Sequence, residues 1–565
     1  MRHILEELPE TLDATYERIL QEIPKPNRVH AHRLLQSLTA AVRPLVVEEL
    51  AEVLAMDFDG TGGIPKLNEG FRWADQEQAV VSACSSLIAI VKHRDSRRVQ
   101  FSHFSVKEFL TSDRLATSEL HTLRYHHIHL ESAHTVMAQV CLGALFRLDE
   151  SMDTETIRSY PLGKYVGESF ATHAGVGNVL SRIGDGVDCL FDPDKPHFKI
   201  FVLLMNGGFD VDPEELDIEI DSGSDSDDSS SEQSSSDQSS SKGSFSKHIP
   251  RWIHPLYCTV LCRDLCFTRH LILNRAHDLD ASDIYGKTAL HVAAINSDFE
   301  ATRMLIEHTA DINARDNRGC TPLHFAVVKG EAESQDDHFR CVRLLLERGA
   351  DADAQNNRGM TPLHLAVSRL DIDEKFVQIL IGNVTNINLR NIQGQTALHK
   401  AALLGDADIM SIILNHDADV DAQDNSGSTP LHLSISEFKL PFVELLLQHG
   451  ANVGLHDNNR QTPLHLASQR GLFDIMRLLL GKGADVDALD SDGSTPLHLI
   501  ISKTYTYSEV PESSEASHDS KVFIYSESLR EAIKLLLEHG ASVHRENNRG
   551  ETPFQAAGVR GLPRT

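Results

Sequence analysis

The chain has 565 residues, and 53 lysines and arginines against 82 aspartates and glutamates give it a formal net charge of −29. This length predicts several domains, and 41% apolar residues are enough for folded cores. The acidity argues against a nucleic-acid binder, which needs a basic face toward the phosphates. The charge is concentrated, however, because residues 210–241 hold 12 acidic residues and no lysine or arginine.

The compartment and the redox state of the thiols follow from similar counts. The N-terminus lacks the apolar region of a secretion signal, and no run of about 20 apolar residues suits a membrane span. Eight cysteines are too sparse for a disulfide framework, and no fourth ligand at zinc-finger spacing accompanies Cys258, Cys262 and Cys266. We expect a soluble protein of the cytoplasm, with the nucleus as the alternative, and no membrane contact, metal or cofactor.

The first predicted module consists of helices followed by a hairpin. Helical patterns begin at Arg28 and at Pro44, and a further helix contains QAVVSACSS. Two apolar runs, Leu87–Val91 and Val99–Phe104, flank the polar stretch KHRDSRR and predict a β-hairpin. Three helices and a hairpin are typical of a winged-helix fold.

Three blocks of this module carry a family resemblance: LPETLDATYERIL, RPLVVEELAEVLAMD and VQFSHFSVKEFLTSD. They resemble the winged-helix segment, named for the GPI inositol-deacylase, that follows the NACHT nucleotidase in fungal STAND-type receptors. Many of these receptors end in ankyrin repeats. The resemblance implies a regulatory, interdomain module over residues 1–115 and a helical connector over 116–200. The resemblance does not imply a nucleotide switch for this chain, because the chain is expected to begin at the end of the nucleotidase. It does not imply deacylase chemistry either.

Two clusters in this half could be mistaken for ligand sites. Four basic residues lie at the predicted wing: Lys92, Arg94, Arg97 and Arg98. Their acidic neighbours and the implied interdomain role argue against DNA binding, so no nucleic-acid partner is expected. Four histidines follow and are interpreted as a helix surface rather than a metal site: His126, His127, His129 and His134.

An acidic, serine-rich segment separates this half from the next. The composition of residues 201–248 cannot bury enough apolar surface to offset the entropy of ordering, which predicts a disordered linker. Four of its serines have an acidic residue three positions on and suit an acidophilic kinase: Ser222, Ser224, Ser229 and Ser234. At the start of this segment, before its acidic run, IFVLLMNGGFDVD (200–212) resembles the end of a repeat, so an insertion inside the repeat array stays open as the alternative.

The second half repeats the tetrapeptide Thr-Pro/Ala-Leu-His at a base period of 33 residues, with longer intervals where residues are inserted. The threonine and histidine of each full motif are Thr288 and His291, Thr321 and His324, Thr361 and His364, Thr396 and His399, Thr429 and His432, Thr462 and His465, and Thr495 and His498. Period and motif resemble the ankyrin repeat. This resemblance implies a solenoid of about nine repeats over 249–565, the first and last degenerate or partial, that binds proteins and lacks catalysis.

Each residue of the motif has a structural role in this interpretation. Thr caps the start of a helix, and Pro fills the first helical position, where its missing donor has no partner anyway. A histidine present in every unit is interpreted as a structural hydrogen-bonding residue rather than a catalytic base. A turn glycine precedes the Thr in most units, but Arg460 stands there in one. Left-handed backbone at that position should cost about 1 kcal/mol unless Asn459 absorbs the strain.

A relaxed phosphate-loop pattern occurs at the start of the array. Residues 281–288 read ASDIYGKT. Gly286 and Thr288 are in register with the turn glycine and the capping threonine of the other repeats, so nucleotide binding is not expected here.

The turns between repeats project as finger tips beside a concave helical face, and we expect them to contact a protein partner. The predicted contact residues are Arg315, Asp316, Asn317, Arg318, Gln355, Asn356, Asn357, Arg358, Asp424, Asn425, Asn458, Asn459, Arg460, Asp490, Asp492, Asn548 and Arg549. Asn and Asp also favour such turns without any binding role. Insertions at 331–337 and 503–526 fall at the opposite edge, and the second has the polar composition of a tolerated loop.

The sequence therefore predicts a mainly α protein without catalytic activity. Its array binds a protein partner, and its winged-helix region acts as a regulatory module. The alternative is the C-terminal part of a STAND-type NTPase signalling receptor whose nucleotidase is missing, through truncation of the gene for example, or supplied in trans.

Overall fold

A computed structural model describes residues 12–58, 64–71, 75–84, 86–93, 96–149, 152–192, 195, 197–205, 254–274, 279–328, 335–368, 373–404, 407–506 and 519–556. The fold is mainly α and forms two compact units, residues 1–284 with 303–310 and residues 285–302 with 311–565. None of the described helices is long and apolar enough to cross a membrane. The kinase-site predictions at Ser222, Ser224, Ser229 and Ser234 lie outside the described residues.

The first unit begins with a winged helix. Its elements are α1 (Leu12–Glu22), α2 (Arg28–Ala40), β1 (Leu45–Val46), α3 (Val47–Leu54), β2 (Met56–Asp57), β3 (Lys66–Leu67), α4 (Gln76–Cys84), β4 (Ile88–His93) and β5 (Ser96–Phe101). The antiparallel sheet has the order β1-β5-β4, with Leu45 and Ile90 on either side of Val99. Helices α2, α3 and α4 pack against one another around fully buried side chains such as Leu50.

The wing is longer than the apolar runs predict. Lys92 pairs with Arg97 and His93 pairs with Ser96, so the ladder continues through most of the polar stretch. This extension needs only backbone groups, and the Lys92 and His93 side chains are exposed. Side-chain polarity therefore gave no signal for the end of the hairpin.

A helical connector completes the first unit. Its helices are α5 (Ser105–Leu110), α6 (Asp113–Ala116), α7 (His121–Tyr125), α8 (Leu130–Arg147), α9 (Thr154–Ser159), α10 (Gly163–Ala174), α11 (Val179–Arg182), α12 (Gly184–Leu190), α13 (His197–Met205), α14 (Pro255–Leu261) and α15 (Leu265–Asn274). The long helix α8 packs on both α2 and α10, which ties the winged helix to the connector.

Buried aromatic rings join helices that precede and follow the acidic segment. The ring of Phe170 on α10 lies 5.7 Å from Phe201 on α13 and 5.0 Å from Phe267 on α15. Gly167 permits the close approach of α10 and α13, because a Cβ there would lie 2.1 Å from the carbonyl oxygen of Leu204. Helices α14 and α15 thus share the core of the first unit. The disordered segment predicted over 201–248 is therefore wrong at its start, because residues 201–205 belong to α13 and are packed in this core. The other domain limits drawn from the sequence, including the one at 249, remain a prediction.

The remaining helices form the repeat array. They are α16 (Ala289–Ile295), α17 (Phe299–Glu307), α18 (Pro322–Val327), α19 (Gln335–Glu347), α20 (Pro362–Val367), α21 (Glu374–Ile381), α22 (Ala397–Leu404), α23 (Ala407–Leu414), α24 (Pro430–Ser436), α25 (Leu440–Gln448), α26 (Pro463–Arg470), α27 (Phe473–Gly481), α28 (Pro496–Thr506), α29 (Asp519–Glu538) and α30 (Pro553–Ala556). From α18 onward, the first helix of each repeat packs on the first helix of the next and the second helix on the next second helix. Helix α29 begins inside the 503–526 insertion, so part of this predicted loop is helical.

Candidate protein-binding surface of the repeat array

The tetrapeptide builds the start of each first helix. Thr361 is extended (φ −90°, ψ 165°), its hydroxyl oxygen accepts the His364 amide at 3.3 Å, and Pro362 occupies the first turn. In return, His364 Nδ1 accepts the Thr361 amide at 3.2 Å. The same amide-to-Nδ1 bond measures 3.0–3.2 Å in Thr288–His291, Thr321–His324, Thr396–His399, Thr429–His432, Thr462–His465 and Thr495–His498.

The second ring nitrogen joins each repeat to the next. Because Nδ1 accepts a backbone N–H, Nε2 carries the proton and donates to a carbonyl of the following repeat. His364 Nε2 donates to the backbone carbonyl of Gln395 at 3.0 Å. His498 Nε2 donates to the backbone carbonyl of Glu551 at 3.1 Å, across a separation of 53 residues. The remaining five motif histidines make the same bond at 3.0–3.1 Å.

These histidines are held neutral. Burial lowers the pKa of His291, His324 and His364 to about 4, since an imidazolium loses its hydration inside the array. Protonation would also remove the lone pair on Nδ1 that accepts the threonine amide. With both nitrogens engaged, the rings are arranged to hold repeats together and offer no group for proton transfer to a substrate.

The histidine cluster of the connector differs from its prediction in part. His126, predicted on a helix surface, is fully buried at the end of α7, with its ring 5.9 Å from that of His32. His134 is hydrogen-bonded to His173 at 2.8 Å. Within the described ranges, no group of three or more His, Cys, Asp or Glu side chains could hold a metal ion.

The wing and the phosphate-loop pattern are both explained by local structure. The Arg97 guanidinium forms ion pairs with the carboxylates of Glu77 at 2.5 Å and Glu48 at 3.3 Å, and these pairs reduce the positive charge of the wing. Lys287 is only 2% exposed, whereas the lysine of a phosphate loop must reach its ligand. Gly286 is a turn residue with φ 78°, packed against the next finger at Asn317.

The first residue of each finger-tip turn closes the turn from inside. Asp316 Oδ1 accepts the amides of Arg318 at 2.9 Å and Cys320 at 2.7 Å. The same two bonds are made by Asn356, Asn391, Asp424, Asp457, Asp490 and Asn547. Asp316, Asn356 and Asp490 are only 6–8% exposed. Their prediction as partner contacts is therefore corrected, since they cap turns and face inward.

The second residue of each turn links neighbouring fingers. The Asn357 amide donates to the Arg318 carbonyl at 2.8 Å, and its side-chain Nδ2 donates to the Asn317 carbonyl at 3.0 Å. Asn425, Asn458 and Asn548 make the same pair of hydrogen bonds to the preceding finger. The tips thus form a continuous hydrogen-bonded row, which we call the finger row.

A long side chain before four of the caps, at Arg315, Gln355, Arg390 and Gln423, adds a second link that the sequence analysis missed. The guanidinium of Arg315 donates to the carbonyl oxygens of Gly319 and of Gln355. Gln355 Nε2 donates to the carbonyl oxygens of Gly359 at 3.0 Å and of Arg390 at 2.9 Å. The Arg390 guanidinium donates to the Gln423 carbonyl oxygen at 2.5 Å. Arg315 and Gln355 therefore brace the finger row. The recurrence of a long donor four residues before the turn glycine was the available signal.

Arg460 itself adopts the left-handed conformation, with φ 58°, while Asn459 does not. The strain expected at this position is thus carried by the arginine. A side chain with a Cβ is less stable in this conformation than glycine by about 1 kcal/mol.

The predicted contact residues that face solvent form the outer surface of the finger row. They are Arg315, Asn317, Arg318, Asn357, Arg358, Asn425, Asn458, Asn459, Arg460, Asp492, Asn548 and Arg549, while Gln355 and Asp424 are half-buried. Ile392, which lies at the tip between Arg358 and Asn425, is also exposed, at 65%.

Comparisons with known proteins match both halves of the chain. The ankyrin-repeat family matches in three copies, at residues 257–356, 371–457 and 436–510. The winged-helix domain of the GPI inositol-deacylase type matches residues 16–120.

A curated relative and a solved structure illustrate the similarity of the chain to known proteins. The azaphilone pigments biosynthesis cluster protein L of Monascus ruber is 32% identical over 176 residues, which span 30% of this chain and only 36% of that protein. The crystal structure of the ankyrin repeat domain of Bcl-3, a unique member of the IkappaB protein family, is 31% identical, with a TM-score of 0.34, and the match covers 38% of this chain and 93% of that one. The chain thus carries a GPI inositol-deacylase-type winged-helix domain followed by ankyrin repeats, an architecture that supports a role in protein interaction.

Proposed function

We propose that this chain is a non-catalytic protein-interaction scaffold or sensor. The ankyrin array binds a protein partner along the finger row, and the winged-helix region acts as a regulatory, interdomain module. The observation that carries the proposal is the finger row itself, in which backbone, asparagine and arginine bonds hold every tip in place. The exposed side chains differ from tip to tip on this constant frame.

Such a surface suits recognition of a macromolecule. Ordering flexible loops on binding costs conformational entropy, whereas tips already bonded to their neighbours lose little. The histidines and the turn caps are fully engaged in the fold, so specificity has to come from the outward residues of the tips. A long row of fixed tips with varied side chains is the arrangement expected for binding an extended face of another protein.

Site-specific photocrosslinking tests this proposal. The photoreactive residue p-benzoylphenylalanine replaces Ser426 or Asn459, which are exposed on the finger row, or Arg477, which is exposed on α27 as a matched control. In cells that encode the chain, we expect the same protein to crosslink at both tip positions and not at Arg477. Equal crosslinking at all three positions, or none at the tips, would contradict the proposal.

The winged-helix match supports a second candidate. In this alternative, the chain is the C-terminal part of a STAND-type NTPase signalling receptor, whose nucleotidase is missing or supplied by a separate chain. Equilibrium binding of labelled ATP and GTP to this chain, alone and with the crosslinked partner, separates the two. Nucleotide binding that appears only with the partner would favour the alternative.

Further parts of the proposal concern organisation. We propose a winged-helix region over 1–115, a connector from 116 to the end of α13 at 205, an acidic segment over 206–248 that an acidophilic kinase modifies, and an array over 249–565. The proposed compartment is the cytoplasm, with the nucleus as the alternative. Phosphopeptide mass spectrometry of the purified chain tests the kinase sites.

A further inference from the structure

A cleft of about 580 Å³ lies within the first unit, where the segment around β3 contacts helix α8. This volume is within the range of sites that bind small molecules. We call it the α8 cleft. Its lining includes the apolar side chains of Ile64, Leu67 and Phe146 and the charged side chains of Lys66, Glu69 and Arg147.

The walls of the α8 cleft are held in place by contacts within the fold. On one side, β3 is paired with β2 in an antiparallel ladder. The same segment lies directly on α8, since a Cβ at Gly143 would be only 2.4 Å from the carbonyl oxygen of Pro65. On the other side, the ring of Phe146 packs edge-on against that of His197, with their centroids 4.7 Å apart. A cleft that is already formed needs little reorganisation to accept a ligand.

The interior of the α8 cleft is apolar but incompletely buried. Ile64, Leu67 and Phe146 are each half-buried, so the fold leaves part of their apolar surface in contact with water. A molecule that covered all three side chains would remove this surface from water, which is favourable. The body of a ligand that fits here is therefore apolar.

The charges at the rim of the cleft are balanced. The Arg147 Nη2 donates to Glu69 Oε1 at 2.7 Å, and Lys66 lies opposite Asp57 in the ladder. Net charge therefore does not select an anion. A guanidinium has five N–H groups on three nitrogens, however, and within the described part of the chain Arg147 uses one nitrogen for Glu69. Its other N–H groups can donate to an uncharged acceptor.

We propose that the α8 cleft binds an uncharged, largely apolar small molecule that carries a carbonyl oxygen. The body of the ligand covers Ile64, Leu67 and Phe146, and its carbonyl accepts a hydrogen bond from the Arg147 guanidinium. One wall belongs to the winged-helix domain and the other to connector helix α8, so a bound molecule stabilises the contact between these two parts. The ligand is additional to the protein partner of the finger row, and only its regulatory consequence rests on the proposed function.

Three naphthalene derivatives of similar size, substituted at the same ring position, test the chemistry of the ligand. Acetylnaphthalene carries a carbonyl, isopropylnaphthalene has no acceptor, and naphthoate carries a charged carboxylate. Their affinities for the full chain are measured by saturation-transfer NMR. We expect acetylnaphthalene to bind about fivefold more tightly than isopropylnaphthalene, the change expected for one hydrogen bond, and more tightly than naphthoate, whose charge must lose its hydration. Equal affinities for the three compounds would overturn the proposal.

Two arginine variants locate the hydrogen bond. Arg147→Met removes the donor and retains an apolar stem, so the affinity for acetylnaphthalene should fall about fivefold, to that of isopropylnaphthalene. Arg182→Met is the matched control, because Arg182 makes a similar ion pair with Glu131 at 2.8 Å and does not line the cleft. It should leave all three affinities unchanged. Equal losses in the two variants would contradict the role of Arg147.

A filled cleft and hydrogen exchange test the position of the ligand. In Leu67→Trp the larger side chain occupies the cleft, so all three compounds should bind at least about tenfold more weakly. In the parent chain, acetylnaphthalene should raise the protection of both residues 64–71 and α8. Unchanged binding to Leu67→Trp, or unchanged protection of both segments, would remove this site. Crosslinking at the finger tips is independent of these outcomes, so the proposed function can stand or fail separately.

Discussion

The motif histidines should make the stability of the array depend on pH, and His364 allows this to be worked out for one repeat. Its pKa is about 4 in the folded array and 6.5 in the unfolded chain. The unfolded state therefore binds more protons between these values. The stabilisation is complete above pH 6.5 and is lost as the pH falls toward 4. The linkage relation gives a loss of about 2 kcal/mol at pH 5 for this single histidine.

Hydrogen exchange measured by mass spectrometry on the full chain can report this loss locally. A change of about 2 kcal/mol corresponds to about a thirtyfold lower protection factor for the amides of α20 at pH 5 than at pH 7. His364→Gln removes the titrating group and retains an acceptor for the cap. The last repeat shows that glutamine serves there, since Gln555 Oε1 accepts the Thr552 amide at 3.0 Å.

We expect α20 of His364→Gln to be less protected at pH 7, because the bond to Gln395 is lost, and to change far less between pH 7 and pH 5. His456, whose ring is exposed at a finger tip, provides the matched control. In His456→Gln the protection of α20 should change with pH as it does in the parent chain. If parent and His364→Gln lose the same protection on acidification, the buried imidazole is not the origin of the pH dependence.

Three further predictions concern backbone geometry. Arg460→Gly should raise the melting temperature by about 2–4 °C, because glycine adopts φ 58° without strain; an unchanged or lower value would show that the arginine is not strained. Gly167→Ala should destabilise the first unit by about 2 kcal/mol in urea unfolding, since its Cβ would lie 2.1 Å from the Leu204 carbonyl oxygen, whereas Gly481→Ala, with open space around it, should not. Asn391→Ala should destabilise the array by about 2 kcal/mol through two unpaired amides, and Asn391→Asp should retain thermal stability close to that of the parent; equal melting temperatures for all three chains would contradict the capping role.

Local features of the array could be predicted from the sequence, and distant pairings could not. The spacing of Thr361 and His364 places both at the first turn of a helix, so the bond within the repeat is accessible from the motif. The acceptor of Nε2 depends on how repeats stack, and it lies 29 residues away in some repeats and 36 in another. Pattern alone does not show which carbonyl the ring reaches.

Exposure within the finger tips was also beyond the sequence. Asp316 and Asn317 have the same preference for turns, yet the first is buried and the second is exposed. The difference arises because only the first side chain points back over its own turn. In the connector, the contact of Phe201 with Phe267 joins positions on either side of a long acidic segment, and no local pattern links them.

The stacking bond from His498 to Glu551 has the same length as its counterparts although 53 residues intervene. The hydrogen bond between neighbouring repeats therefore keeps its geometry whatever the length of chain that connects them. Closing a longer loop costs only about 0.6 kcal/mol for each doubling of its length, so this edge of the array tolerates growth. New sequence can be added there over evolutionary time while the finger row at the opposite edge keeps its register.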